Sequence, residues 1–333
     1  LKMSQKNYFI GLLVLLVGGL SAQMNPLYFN EYLSENYYNI HPAMAGVNLT
    51  GLRIDLGTRQ QWMNSAQKPN TQFFSLEYKS SAKTTLGVFG VNDQNGYHSQ
   101  FKYHITYCYR IYLNDEIWNT RRSFPTKNDN IQELSFALNL GRSGMNLDQS
   151  NWNRPSQDPL LNQNLSADHY TTFDAGVAYV STRLSVQLSF HNLAFVSSDS
   201  KAPEEATIYN IGANKIYMGA MQYEIYTKKE WNFEPSFLFQ FEEKTNESSL
   251  DLNFKIFKII RNGRIWTGIS YRQNNVKIPK GVGLETDQSY KHLTLISGLN
   301  YRKMKFGYQY TIARGKVQFS SQGIHYITLG FQI

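Results

Sequence analysis

From residue 49 to its end, the chain alternates apolar and polar positions with a period of two. The clearest run places Phe101, Tyr103, Ile105, Tyr107, Tyr109, Ile111 and Leu113 on one face. Lys102, His104, Thr106, Cys108, Arg110 and Tyr112 fall on the other. A run this long exceeds an ordinary soluble strand and suits one that crosses a bilayer at a tilt. Leu184, Val186, Leu188 and Phe190 repeat the pattern, as do Phe237, Phe239 and Phe241, then Phe306, Tyr308, Tyr310 and Ile312. Ile327, Leu329, Phe331 and Ile333 close the sequence. The alternation predicts strands near 49–62, 70–79, 84–93, 98–113, 131–142, 170–181, 183–193, 207–226, 230–242, 248–259, 264–276, 290–302, 304–314 and 323–333. Fourteen is an even number, as a bacterial outer-membrane barrel requires.

Connection lengths test that reading, because such barrels alternate short periplasmic turns with longer extracellular loops. The second, sixth, eighth, tenth and twelfth connections are short: 80–83, 181–183, 227–229, 260–263 and 302–303. Asn262-Gly263 is also a hairpin signal. Among the alternate set, 143–169, 194–206, 277–289 and 315–322 are long. The fourth connection, 114–130, is long where a short one is expected. A secreted β-sandwich, the rival architecture, has no reason to sort its connections by side. The fold class expected is therefore all-β: a transmembrane antiparallel barrel of about fourteen strands. With outward apolar residues on the strand, Ile105→Arg is expected to be costly and Thr106→Arg, facing the lumen, to be tolerated.

Upstream of the alternation the pattern changes. Lys2 and Lys6 precede an apolar stretch at 9–20, and Ser21-Ala22 supplies a small-residue exit. Residues 1–22 read as a signal peptide cut after Ala22. Residues 23–48 are rich in aromatics but alternate poorly, and are expected to form a periplasmic N-terminal segment ahead of a barrel at 49–333, its rings packing into the lumen base.

Composition narrows the alternatives. The 333 residues hold 14% aromatic and 17% charged side chains, which argues against disorder. No stretch beyond the N-terminus approaches the length of apolar sequence a spanning helix needs, and a single cysteine cannot form an internal disulfide. Net charge is +8, or +6 once Lys2 and Lys6 are removed. The basic residues sit largely in short turns, at Lys79 and Lys83, Lys228 and Lys229, Arg261 and Arg264, and Arg302 and Lys303. That distribution suits headgroups of the lipid bilayer and gives no footprint for nucleic acid.

No nucleophile elbow, zincin helix, phosphate loop or dinucleotide fingerprint occurs, so neither enzyme chemistry nor a metal or cofactor site is expected. Cys108, His104 and Arg110 share the lumen face and read as parts of a polar interior. The 143–169 loop carries Trp152 and Arg154, residue types that dominate protein contacts, and is a candidate partner loop.

An ordered series of short motifs carries a family resemblance. Tyr32-Leu33 with Asn36, then Pro42-Ala43-x-Ala45-Gly46, are followed by Arg59-Gln60-Gln61-Trp62 and Pro69-Asn70-Thr71. Later come Phe173-Asp174-Ala175-Gly176-Val177, Leu188-Ser189, Asn192-Leu193, Glu234-Pro235-Ser236, Gly268-Ile269-Ser270-Tyr271-Arg272, Gly307-Tyr308-Gln309-Tyr310 and His325. In this order they resemble the PorP/SprF family of the Bacteroidetes type IX secretion system, over nearly the whole mature chain. His41, Gln309, Thr311 and Tyr326 depart from the family pattern. The resemblance implies a bacterial outer-membrane barrel that anchors, or helps secrete and display, an adhesin bearing a C-terminal sorting domain, as in gliding motility. Its partners would be that adhesin, periplasmic or other type IX components, and the bilayer. Structural or partner-binding roles fall by resemblance to Asn36, Pro42, Ala43, Gly46, Arg59, Gln61, Trp62, Gly176, Gly268, Tyr271 and Arg272. The alternative from another class is a passive, porin-like outer-membrane channel, since fourteen strands are enough to enclose a lumen.

Overall fold

The computed structural model describes residues 35–61, 63, 68–96, 98–114, 132–147, 168–197, 214–227, 230–243, 246–275, 290–315 and 323–333. These form fourteen antiparallel strands closed into a barrel: β1 (Leu52–Gln61), β2 (Asn70–Lys79), β3 (Thr84–Asn95), β4 (His98–Tyr112), β5 (Gln132–Leu147), β6 (Asp168–Ser181) and β7 (Leu184–Ser197). The second half comprises β8 (Ile216–Tyr223), β9 (Trp231–Glu242), β10 (Glu247–Ile260), β11 (Gly263–Asn275), β12 (Tyr290–Tyr301), β13 (Met304–Gly315) and β14 (Ile324–Gln332). Each strand pairs with its sequence neighbours, and β14 closes on β1 with Ile54 opposite Phe331 and Gln60 opposite His325. Closure leaves no strand edge unpaired, which is what hydrocarbon demands of a β structure.

The two strand faces behave as the alternation requires. On β4, Tyr103, Ile105 and Tyr107 are exposed on the outer wall, whereas Lys102, His104, Thr106, Cys108 and Arg110 are buried inside. Strand count, order and most boundaries match the periodicity. Two expectations about connections and extents need correction. β8 begins at Ile216, not near 207, and residues 207–213 lie outside those described. On the long-loop side, β5 runs on to Leu147 and β6 starts at Asp168, so the connection expected at 143–169 spans only 148–167; β3–β4 and β9–β10 are joined by the short 96–97 and 243–246, as their expected bounds allowed. The 80–83, 182–183, 261–262 and 302–303 turns share one end, called here the turn end. The residues between Asn114 and β5, and residues 1–22, expected to be a signal peptide, lie outside the described set.

Residues 35–49, whose rings were expected to pack into the lumen base, lie in the lumen along their length. They form two short 3-10 turns, Tyr37–Asn39 and Pro42–Met44. Tyr38, Ile40, Ala43, Met44, Ala45 and Val47 are all buried and pack against inward residues such as Phe73, Phe89, Cys108, Ala137 and Ala178. The reason is apolar content: this aromatic and aliphatic stretch has no sheet partner of its own, and the lumen offers a dry surface to cover. Thr106 faces the lumen as expected, but it is fully buried there against Tyr38, so an Arg at that position meets the segment and is not simply tolerated.

Candidate functional site

The segment enters at the turn end, reaches mid-barrel near His41, and returns to β1 past Gly46. It makes few hydrogen bonds to itself, such as His41 N–H to Tyr37 O at 2.8 Å and Val47 N–H to Met44 O at 3.1 Å. Buried carbonyls left over need donors, and barrel side chains supply them. Arg110 donates to Ala45 O at 2.6 Å and to Gly46 O at 3.3 Å. His191 Nε2 lies 3.1 Å from Ile40 O, and Arg53 donates to Val47 O at 3.3 Å. The Glu77 carboxylate accepts from Gly46 N–H at 2.6 Å. Tyr38 OH lies 2.7 Å from Thr106 Oγ1, which donates to Asn139 Oδ1 at 2.7 Å. His41 Nδ1 lies 3.0 Å from Ser189 Oγ, and burial, reinforced by nearby His191, pushes its pKa down to about 3.

At the entrance, Glu35 is clasped. Its carboxylate takes Lys255 at 3.0 Å, Asn300 at 2.6 Å and Arg264, while Lys305 reaches its carbonyl at 3.3 Å. Burial opposes ionisation of this carboxyl, but Arg264 and Lys255 outweigh it and hold it well below the ordinary carboxylate range. The cations are shared with the wall: Lys255 lies 2.6 Å from Glu234, and Arg264 lies 3.1 Å from Glu224.

Deeper in, Asp174 organises a second cluster. It pairs with Lys102 at 2.9 Å, lies 3.3 Å from His191 Nδ1, and accepts from Asn192 N–H at 2.8 Å. The last bond exists because the β6–β7 register shifts opposite Asp174 and Asn192 adopts a positive φ of 57°, turning its N–H toward the carboxylate. Among the described residues no group of His, Cys, Asp and Glu is arranged to hold a metal ion.

Several residues singled out by motif converge on this lumenal segment. Asn36 starts the first turn and its side-chain oxygen takes the Lys305 ammonium. Pro42 and Ala43 sit against Gly176, where an added Cβ would stand 3.2 Å from Ala43 N. Gly46 needs to be glycine twice over: φ is +77°, and a Cβ would fall 2.2 Å from Thr85 Oγ1. Others stand apart. Arg59 lies 4.0 Å from Asp93, and Arg272 makes a two-pronged pair with Asp251 on the next strand. Gly268 lets β10 approach, a Cβ there being 2.9 Å from Phe254 O, and Tyr271 faces outward. Gln61 ends β1, its N–H bonded to Pro69 O at 3.1 Å. Trp62, Trp152 and Arg154 lie outside the described residues. Sequence reasoning passed over Glu35, Lys102, Asp174 and His191. The signal available was their polarity at inward positions, with Asp174 lying inside a quoted motif.

The model of the type IX secretion system membrane protein PorP/SprF family matches residues 21–331. The chain belongs to that family. With the barrel fold, membership places it in the bacterial outer membrane. No curated protein matches the sequence. Solved structures it resembles include the CymD monoaromatic hydrocarbon channel, at 9% identity and TM-score 0.48 over 88% of this chain and 91% of that one. A TodX deltaS2S3 mutant monoaromatic hydrocarbon channel aligns at 8% identity and TM-score 0.45, over 94% and 97% of the two chains. A Pseudomonas aeruginosa FadL homologue aligns at 8% identity and TM-score 0.45, over 87% and 96%.

Proposed function

We propose that this PorP/SprF-family barrel anchors a secreted adhesin carrying a C-terminal sorting domain, or helps secrete and display it, in the manner of gliding motility. One observation carries the choice of an anchor over a diffusion channel: residues 35–49 occupy the lumen and are hydrogen-bonded to its wall around the circumference. A filled barrel is a rigid support. An adhesin without a lipid or spanning segment of its own needs such a support. The 148–167 connection, with Trp152 and Arg154, is proposed as the adhesin contact. The turn end, where the 35–49 segment enters, faces the periplasmic components of the secretion system in this reading.

Deletion in the native host tests it. Bulk type IX secretion should persist while one large adhesin leaves the cell surface for the medium or is degraded, measured as surface, medium and whole-cell pools of each sorting-domain protein. Loss of every cargo would make the chain a core translocation component; no change in any cargo would refute the anchor. Large, steady conductance of the purified barrel in planar bilayers would favour the channel instead.

A further inference from the structure

The outer wall is not apolar to the same height all round. On β4 the outward apolar run spans 101–113, and on β9 it spans 231–241. Around the closing seam it is shorter: 52–56 on β1, 74–78 on β2, 86–90 on β3 and 327–333 on β14 and the residue after it. With about 3.3 Å of rise per residue and a tilt near 40°, each residue climbs roughly 2.5 Å along the membrane normal. The seam therefore offers about 10–15 Å of apolar wall where β9 offers about 25 Å, the height of an outer-membrane apolar band.

Above the short apolar stretch stand outward Thr58, Gln60, Gln72, Asn92, Gln94 and His325. They are contiguous: Gln60 is opposite His325 across the seam, Thr58 opposite Gln72, and Gln72 opposite Asn92. Gln72, Asn92 and Gln94 are exposed. Thr58, Gln72 and Asn92 also form the upper rim of a groove of about 610 Å³ walled by Leu56, Phe74, Gly90, Tyr103, Ile327 and Leu329. Acyl chains cannot bond amides, so a wall of this kind is poorly solvated by lipid.

We infer that the β14–β1–β2–β3 wall is an interface at which two copies of this chain pair side by side in the membrane. The occupant follows from the chemistry of the patch. Each carboxamide carries both donor and acceptor, so the patch is complementary to itself across a two-fold axis. Charge does not oppose the pairing, because Asp55, Arg59, Glu77 and Asp93 of the same strands are buried on the inner face.

Cysteine cross-linking in native outer membranes tests the pairing. The sole cysteine, Cys108, is fully buried, so the parent chain is a blank. Gln72→Cys and Asn92→Cys should each give, with a short bis-maleimide, a species of twice the monomer mass. Leu140→Cys and Leu252→Cys, exposed on other strands, should give at least tenfold less. Heat-modifiable mobility confirms that every variant is folded. Absence of an adduct from both seam positions in folded protein overturns the inference, and so does an adduct of a mass set by a different protein. In a Thr58→Cys background, Gln72→Leu with Asn92→Leu should lower dimer yield about fivefold. An unchanged yield would show that the amides do not join the copies.

Discussion

Glu35→Ala tests whether the lumenal segment is held chiefly at its entrance. The substitution removes the carboxylate that Arg264, Lys255 and Asn300 share. Both cations keep wall partners, Lys255 at Glu234 and Arg264 at Glu224 and Glu234, so no bare charge is stranded. The loss is therefore that of the charge-assisted bonds themselves. At about 1.5–3 kcal/mol for one such bond, and with the cations re-satisfied by their other partners, a total of about 2–3 kcal/mol is expected. At about 1.4 kcal/mol per tenfold, release of the segment should become roughly 30- to 150-fold more frequent. Cys108 reports this directly, because it is fully buried with its Sγ 3.7 Å from the Ala43 carbonyl oxygen, beneath the segment. Its modification rate by a thiol reagent, in detergent-folded protein at constant pH, should rise by that factor. Lys258→Ala removes an ion pair to the exposed Glu230 and should leave the rate unchanged. Equal rates for Glu35→Ala and the parent would refute the clasp. A rate that tracks global unfolding in denaturant would show that the segment leaves only when the barrel itself opens.

Asp174→Asn leaves buried Lys102 without its carboxylate and should cost about 3–5 kcal/mol in denaturant unfolding, with Lys102→Met recovering much of it. Ile105→Arg places a charge on the exposed outer wall and should cost about 2–4 kcal/mol by the same measurement. Thr106→Arg should instead leave the barrel folded but raise Cys108 labelling, because it breaks the Tyr38–Thr106–Asn139 chain and fills the space the segment occupies. His41 supplies a pH dependence. Its folded pKa of about 3 lies below the usual value near 6.5, so a withdrawn segment takes up a proton first. Retention is complete above about pH 6.5 and weakens as pH falls toward 3, by about 2 kcal/mol at pH 5. Hydrogen exchange of the 41–47 amides between about pH 7 and 5, above the range in which a released Glu35 protonates and corrected for intrinsic rates, should show the loss, and His41→Asn should abolish it there.

The barrel was legible because period-two alternation is a local property. On β4 each residue's face followed from parity alone, and Cys108, His104 and Arg110 lie inside as parity required. That rings of the N-terminal segment pack into the lumen was expected from the sequence, but the partners that hold them were not legible, for the opposite reason. Residues 35–49 carry no period, and each of their partners is remote in sequence and brought near only by strand register. Parity placed Arg110 inward but could not show that it would donate to Ala45 and Gly46. Nor could it show that the bulge at Asn192 would aim an N–H at Asp174. The motif glycines were better guides than the motif polar residues, since Gly46 and Gly176 mark where backbone passes close to backbone or side chain. Tyr271 and Arg272, adjacent in one motif, point to opposite faces and serve different surroundings.

The long sequence reach of these bonds also sets an order of events. Glu35 meets Asn300 across 265 residues, and His41 meets Ser189 across 148. Neither partner has its position until the intervening strands have paired, and loop-closure entropy works against forming such contacts early. Among the described residues, the 35–49 segment is therefore the last to become ordered. Until β14 joins β1, its aromatic rings have nowhere to be buried, and the nascent chain carries an exposed apolar arm through the aqueous periplasm. A holding chaperone that recognises Tyr and Phe in extended chain would act on that arm first, and completion of the barrel would itself displace the chaperone by offering the arm a dry site.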